Sequence, residues 1–184
     1  MSVRIEDRLL ELARDSIVYG LEVGSPKLVH PEDLPEEMRH PGAAFVTLKK
    51  DGELRGCIGS PVAWRPLAVD VADNAFKSAF EDPRFPPLRE EEMEGLEISV
   101  SVLTPPVPVH FKDEGDLLAQ LRPGVDGLIL EDNGRRGLFL PQVWEALPEP
   151  REFLRYLKVK AGLPVDHWSP TVKVQRFEAL EIKP

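Results

Sequence analysis

The chain has one cysteine among 184 residues. No intrachain disulfide can form, and one thiol cannot build a cysteine-based zinc site. The four histidines, His30, His40, His110 and His167, are scattered, and none has the spacing of a metal pair or a Cys–His dyad. Lysine and arginine form no large cluster and the formal net charge is −9, which argues against sequence-independent binding to nucleic acid or to an anionic membrane. A small local anion site is still allowed. No apolar run approaches membrane-spanning length, and the N-terminal MSVRIEDRLLELARD mixes charges into its apolar residues, unlike a signal peptide. A phosphate-binding P-loop, a dinucleotide fingerprint and an EF-hand are also missing. These absences predict a cytoplasmic protein with no metal and no cofactor. Asn and Gln are scarce while prolines number 19, a composition that points to a thermophilic or high-GC source.

What is present reads as alternating hairpins and helices. Ile5, Leu9, Leu12, Ala13, Ile17 and Leu21 recur at helical spacing over 4–22, and Gly24-Ser25-Pro26 ends the pattern. AAFVTLKK and ELRGCIGS predict two strands around Asp51-Gly52, and Pro66 opens a helix that runs to Phe80. DPRFPPL (82–88) is a proline-stiffened loop, and LEISVSVLT (96–104) alternates as a strand. A short helix over 113–121, a second hairpin around Asn133-Gly134, helical segments between Gln142 and Ala161, and one final strand over 171–182 complete the chain. LRGCIGSPVAW (54–64) overlays RRGLFLPQVWE (135–145) without a gap. Each hairpin is followed by a helical region and a late strand, so the sequence predicts a duplicated hairpin–helix–strand unit, the two copies packing to cover their apolar sheet faces.

The lone cysteine stands in DGELRGCIGS, with Gly56 before it and Gly59 two places after it. A three-residue loop, Lys50-Asp51-Gly52, would pair Leu48 with Leu54, Val46 with Gly56 and Ala44 with Ile58. That register puts Arg55, Cys57 and Gly59 on one face, with Arg55 and Cys57 about 6.6 Å apart along the strand. A guanidinium there would lower a thiol pKa from its reference of about 8.5, and the glycines would let a ligand or another backbone approach. Read from spacing alone, a packing role is the commoner fate of such a cysteine. Arg84 in the stiff loop suits a carboxylate or phosphate as a bidentate donor. Asp82 suits a turn cap as well as a site, Phe85 a core plug as well as a site, and Ser60 a turn start as well as a ligand contact. Ser99 and Ser101 share a strand face. The glutamate run near 90–97 reads as a solvated helix face, and Trp64, Trp144 and Trp168 as packing residues.

LRGCIGS, DPRFPPL, ISVSVLTP, GVDGLIL, LPQV and KAGLP, in that order, resemble the AMMECR family over residues 5–182. The hallmark LRGCIG falls on Leu54, Arg55, Gly56, Cys57, Ile58 and Gly59. The resemblance implies an α+β fold of two subdomains, set here at 1–110 and 111–184 within one domain, with a cleft between them near the hallmark. It also implies association with Memo-like and radical SAM proteins, and brings no established reaction. Asp126 stands where some relatives carry histidine, so it is given no role.

Two functions fit these residues. In one, an enzyme or enzyme subunit acts on a small anionic or modified substrate, with Cys57 as nucleophile or thiol carrier, Arg55 and Arg84 holding negative charge, and Gly56, Gly59, Ser60, Asp82 and Phe85 completing the site. In the other, a binding or scaffold module holds a small molecule or a partner segment and Cys57 only packs. The missing base and metal ligands favour the second. A redox role for the thiol would need a partner cysteine on another molecule.

Overall fold

Two β-hairpins each turn on a dipeptide in which both residues have positive φ: Asp51-Gly52 (52° and 79°) and Asn133-Gly134 (53° and 74°). This is the two-residue turn whose twist matches that of the strands it joins. The computed structural model describes residues 4–184. In chain order the elements are α1 (Ile5–Val23), α2 (Glu36–Arg39), β1 (Ala43–Lys50), β2 (Glu53–Gly59), α3 (Leu67–Phe80), β3 (Leu96–Leu103), β4 (Val107–Pro108), α4 (Glu114–Gln120), β5 (Gly127–Asp132), β6 (Arg135–Phe139), α5 (Pro150–Lys160), β7 (Lys173–Phe177) and β8 (Ala179–Ile182). Short 3-10 turns lie at Pro31–Asp33, Glu90–Met93 and Pro141–Glu145. Helices and antiparallel sheets are segregated, so the fold class is α+β, as expected.

The chain groups into two units. One ends at Leu103 and takes back Leu180–Pro184; the other is Thr104–Ala179. In the first, the sheet order is β2-β1-β3-β8. Leu9, Ala13 and Ile17 of α1, and Val71 and Ala75 of α3, share one buried cluster with Ala44, Val46, Leu48, Ile98 and Val100. The helices thus cover the sheet face that carries these aliphatics, and Phe45, Thr47 and Lys49 point the other way. Gly24, at φ 83°, ends α1 in the left-handed conformation that the sequence signal called for.

In the second unit the order is β4-β7-β5-β6. Leu128, Leu130 and Val174 pack against Leu117, Phe153 and Leu157, and Trp144 stacks on Phe153 at 3.8 Å. Trp144 and Trp168 are the packing residues expected; Trp168 meets Phe111 at 5.5 Å. The single final strand expected over 171–182 is two strands in two sheets. The break falls at Glu178, whose N–H donates to Thr104 Oγ1 (2.7 Å) and whose carbonyl accepts from Thr104 N–H (2.8 Å). Bonding to Thr104 diverts the backbone between β7 and β8.

Candidate functional site

The cysteine strand is positioned by a bulge, and the bulge corrects the expected register. Lys50 pairs with Glu53 and Lys49 with Leu54; the register then slips, and Leu48 pairs with Gly56, Thr47 with Cys57, Val46 with Ile58 and Phe45 with Gly59. The turn has two residues, not three. The extra residue is Arg55, inside the ladder. From Gly56 on the faces fall as expected, because the bulge also moves the pairing by one residue, though in the sense opposite to the longer loop; Leu54 and Arg55, before it, are reversed. Its side effect was not foreseen: Arg55 turns to the helix-bearing side, whereas the Cys57 sulfur meets Thr47 Oγ1 at 3.3 Å on the opposite side. Arg55 and Cys57 therefore share no face. Thr47 in turn stands opposite Ser99, so Cys57, Thr47 and Ser99 form a row across three strands.

The two glycines are explained by close neighbours within the protein. A Cβ on Gly56 would lie 2.1 Å from the Ser78 carbonyl oxygen of α3, and one on Gly59 would lie 2.1 Å from the Phe45 ring. Ser78 uses this proximity. Its Oγ accepts from Ile58 N–H (2.9 Å) and donates to the Val46 carbonyl (2.7 Å), so a helix hydroxyl bridges two paired strands.

β2 is an edge strand, and the 82–89 loop covers it at the cysteine. Asp82, buried, accepts from Cys57 N–H at 3.0 Å, and Arg84 Nη2 reaches the Cys57 carbonyl at 3.4 Å. Arg84 also grips Asp82 with Nε (3.0 Å) and Nη2 (2.7 Å). The guanidinium beside the cysteine is thus Arg84, where Arg55 was expected. The Arg84 side chain, with help from the Cys57 and Arg84 backbone N–H groups, holds the Asp82 carboxyl well below the usual carboxylate range against the opposing effect of burial. Arg84 is raised in turn, chiefly by its hydrogen bond to Asp82. Because the folded value is depressed, this contribution to stability is complete above the ordinary carboxylate value, about 3.9. It is lost as pH falls through that value towards the lower native one. Urea denaturation from about pH 6 to about pH 3 should show a shallower acid loss for Asp82→Asn than for the parent; identical slopes would remove Asp82 from the account.

Arg55 is buried at 8% exposure. Its Nε donates to Glu92 at 2.7 Å, and its Nη2 donates to the Pro86 carbonyl at 2.8 Å. Its Nη1 is buried with no hydrogen-bond partner. Both guanidiniums approach the Phe85 ring, Arg55 at 5.8 Å and Arg84 at 5.5 Å from its centroid. Glu92 belongs to the glutamate run read as a solvated face; it is instead the counter-ion of Arg55, which holds its carboxyl below the ordinary value. Nothing in the run EEEMEGLE singles out Glu92.

Ser60 joins a different group. Its Oγ donates to the fully buried Asp70 at 2.7 Å and accepts from Asn74 at 3.2 Å. Asp70 also accepts from Ala44 N–H (2.8 Å) and Arg65 Nε (2.8 Å). Asp70, Asn74 and Ser78 recur every fourth residue on α3, a polar stripe at helical spacing beside the apolar face. Trp64, expected to pack, is 71% exposed, with Arg65 over its ring at 4.7 Å. Asp126 is fully buried and bound by Arg122 through a 2.7 Å ion pair, a structural duty. His167 Nε2 donates to the Asp132 carboxylate at 2.6 Å, where Ser169 and Thr171 also donate. Together they pin the loop before β7.

The structure therefore gathers Arg55, Cys57, Asp82, Arg84 and Phe85 around one strand edge. Gly56 and Gly59 lie beneath it as packing positions, and Ser60 stands apart. Threonine is no base for a thiol at neutral pH, so the Cys57–Thr47 contact positions the sulfur and does not activate it. Among the described residues no helix is long and apolar enough to cross a membrane, and no group of three or more His, Cys, Asp and Glu side chains could hold a metal ion.

Comparison with known proteins returns one family. A family model described as AMMECR1 matches residues 10–182. A protein from Methanothermobacter thermautotrophicus is 44% identical over 177 residues, covering 93% of this chain and 90% of its own. Protein NEQ441 from Nanoarchaeum equitans is 38% identical over 177 residues, covering 92% and 95%. The crystal structure of the uncharacterized protein PH0010 from Pyrococcus horikoshii superimposes with a TM-score of 0.88 at 39% identity, covering 96% of this chain and 89% of that one.

Proposed function

We propose, starting from the fact that this chain belongs to the AMMECR1 family, that its hallmark strand and the 82–89 loop bind a small anionic ligand or modified substrate. The observation that carries this is the Arg55 Nη1, buried and without a partner beside Phe85. A buried guanidinium donor left unmatched costs free energy that an acceptor oxygen would recover. Charge supports the same class of ligand. The ion pairs at this edge bring three arginines, Arg55, Arg84 and Arg89, to two carboxylates, Asp82 and Glu92. Arg84, its side chain 55% exposed, is reachable from solvent. The family resemblance extends the proposal to a place in a modification system with Memo-like and radical SAM proteins.

Inorganic phosphate is the simplest probe, with melting temperature as the readout. Phosphate should stabilise the parent and Cys57→Ser saturably, and Arg84→Ala should bind about tenfold or more weakly. No stabilisation of the parent, or equal stabilisation of all three, overturns the reading. Loss of binding in Cys57→Ser moves the site to the sulfur and favours a thiol enzyme. A second reading, a protein-interaction or scaffold module, is favoured by one observation. Trp64 and Val62 are exposed on the loop after β2, and the Trp64 ring is held by an arginine that Asp70 and Asp73 fix in place. A fixed aromatic of this kind is the usual anchor of an interface.

A further inference from the structure

The second unit contains a cavity that uses none of these residues. β4 pairs with β7 only at Val107–Arg176 and Pro108–Gln175. One more backbone bond, from Val109 N–H to the Val174 carbonyl at 2.9 Å, closes the ladder. Beyond it, among the described residues, no backbone hydrogen bond joins the arm at 110–111 to the arm at 170–173. Between the arms lies a cavity of about 480 Å³, within the range that holds a small metabolite. Ile129 and Phe111 give it apolar walls, and Glu131, Lys173, Gln175 and His110 give it polar ones.

Glu131 and Lys173 stand directly opposite each other on β5 and β7. Opposite charges so placed normally pair. Here no ion pair within 4.0 Å joins them, and neither is paired with any other described residue. An anion alone would meet Glu131, a cation alone would meet Lys173, and an uncharged apolar molecule would strip water from both. A molecule carrying both charges close together, with an apolar body, satisfies every wall.

We propose that this cavity binds a small apolar zwitterion of the amino-acid or dipeptide class. Its ammonium sits at Glu131, its carboxylate at Lys173 and its side chain against Ile129 and Phe111. The two source molecules share one chemistry and differ in length, so both are probed. In calorimetric titrations of the full chain, L-leucine or L-leucyl-L-leucine should bind saturably, and the better of the two reports the length of the site. The charge-blocked N-acetyl-L-leucinamide should not bind. Glu131→Gln and Lys173→Gln, both at exposed positions, should fold as the parent does and each weaken binding about tenfold or more. The proposal is overturned if neither zwitterion saturates, if the blocked compound binds as well, or if both variants bind like the parent.

Discussion

An Asp70→Ala protein is expected to melt roughly 6–20 °C below the parent. Asp70 is fully buried and its two oxygens take four kinds of donor: the Ala44 N–H, Ser60 Oγ, Asn74 Nδ2 and Arg65 Nε. Removing it leaves a buried backbone N–H without its acceptor and a largely buried guanidinium held by Asp73 alone. Breaking a buried pair from one side costs about 3–5 kcal/mol, and each kcal/mol is worth roughly 2–4 °C in a chain of this size. The measurement is thermal unfolding of Asp70→Ala, Arg65→Met and the double variant. The double variant should be less damaged than the sum of the singles, because the stranded charge is gone with its partner. Strict additivity would mean that Asp70 serves the backbone alone. A single variant within about 0.5 kcal/mol of the parent would mean that water replaces it.

Gly56→Ala should come next in severity. The new methyl carbon would stand 2.1 Å from a backbone oxygen of α3, which cannot swing aside as a side chain would. Either α3 retreats from the sheet, breaking both Ser78 hydrogen bonds, or β2 loses its register. Overpacking of this kind costs about 1–3 kcal/mol, and the rigid obstacle argues for the upper end. Ser78→Ala separates the two contributions. It keeps the close approach and removes only the bridge, so in thermal unfolding it should cost less than Gly56→Ala. A Gly56→Ala protein as stable as the parent would show that the helix has room to move.

Much of the architecture was written locally. Asp51-Gly52 and Asn133-Gly134 announced their turns, Gly24 its helix end, and the four-residue recurrence of Leu9, Ala13 and Ile17 its buried stripe. What stayed hidden depends on partners distant in sequence. No local signal sets the slip between Leu48 and Lys49; it follows from Gly56 meeting Ser78, twenty-two residues on. Arg55 could be given the wrong side because one inserted residue reverses every side chain before it. Glu92 was one glutamate among several, and its pairing with Arg55 needs the whole 82–93 segment in place. A Cβ on Gly137, which overlays Gly56 in sequence, would lie 2.8 Å from the Ala161 backbone nitrogen at the end of α5. That likeness supports the proposal of a duplicated unit, since both glycines admit a helix to a strand.

The Ser78 bridge has a bearing on how this part of the molecule loosens. Ordinarily an edge strand can fray while the helix beneath it stays put, because its ladder is self-contained. Here the Ile58 amide is satisfied by the helix hydroxyl, and that hydroxyl also holds the neighbouring strand's carbonyl. Peeling β2 away strands a group on α3, and lifting α3 strands groups on two strands at once. Helix and strand therefore open as one cooperative unit, and the segment bearing the cysteine inherits the rigidity of the core.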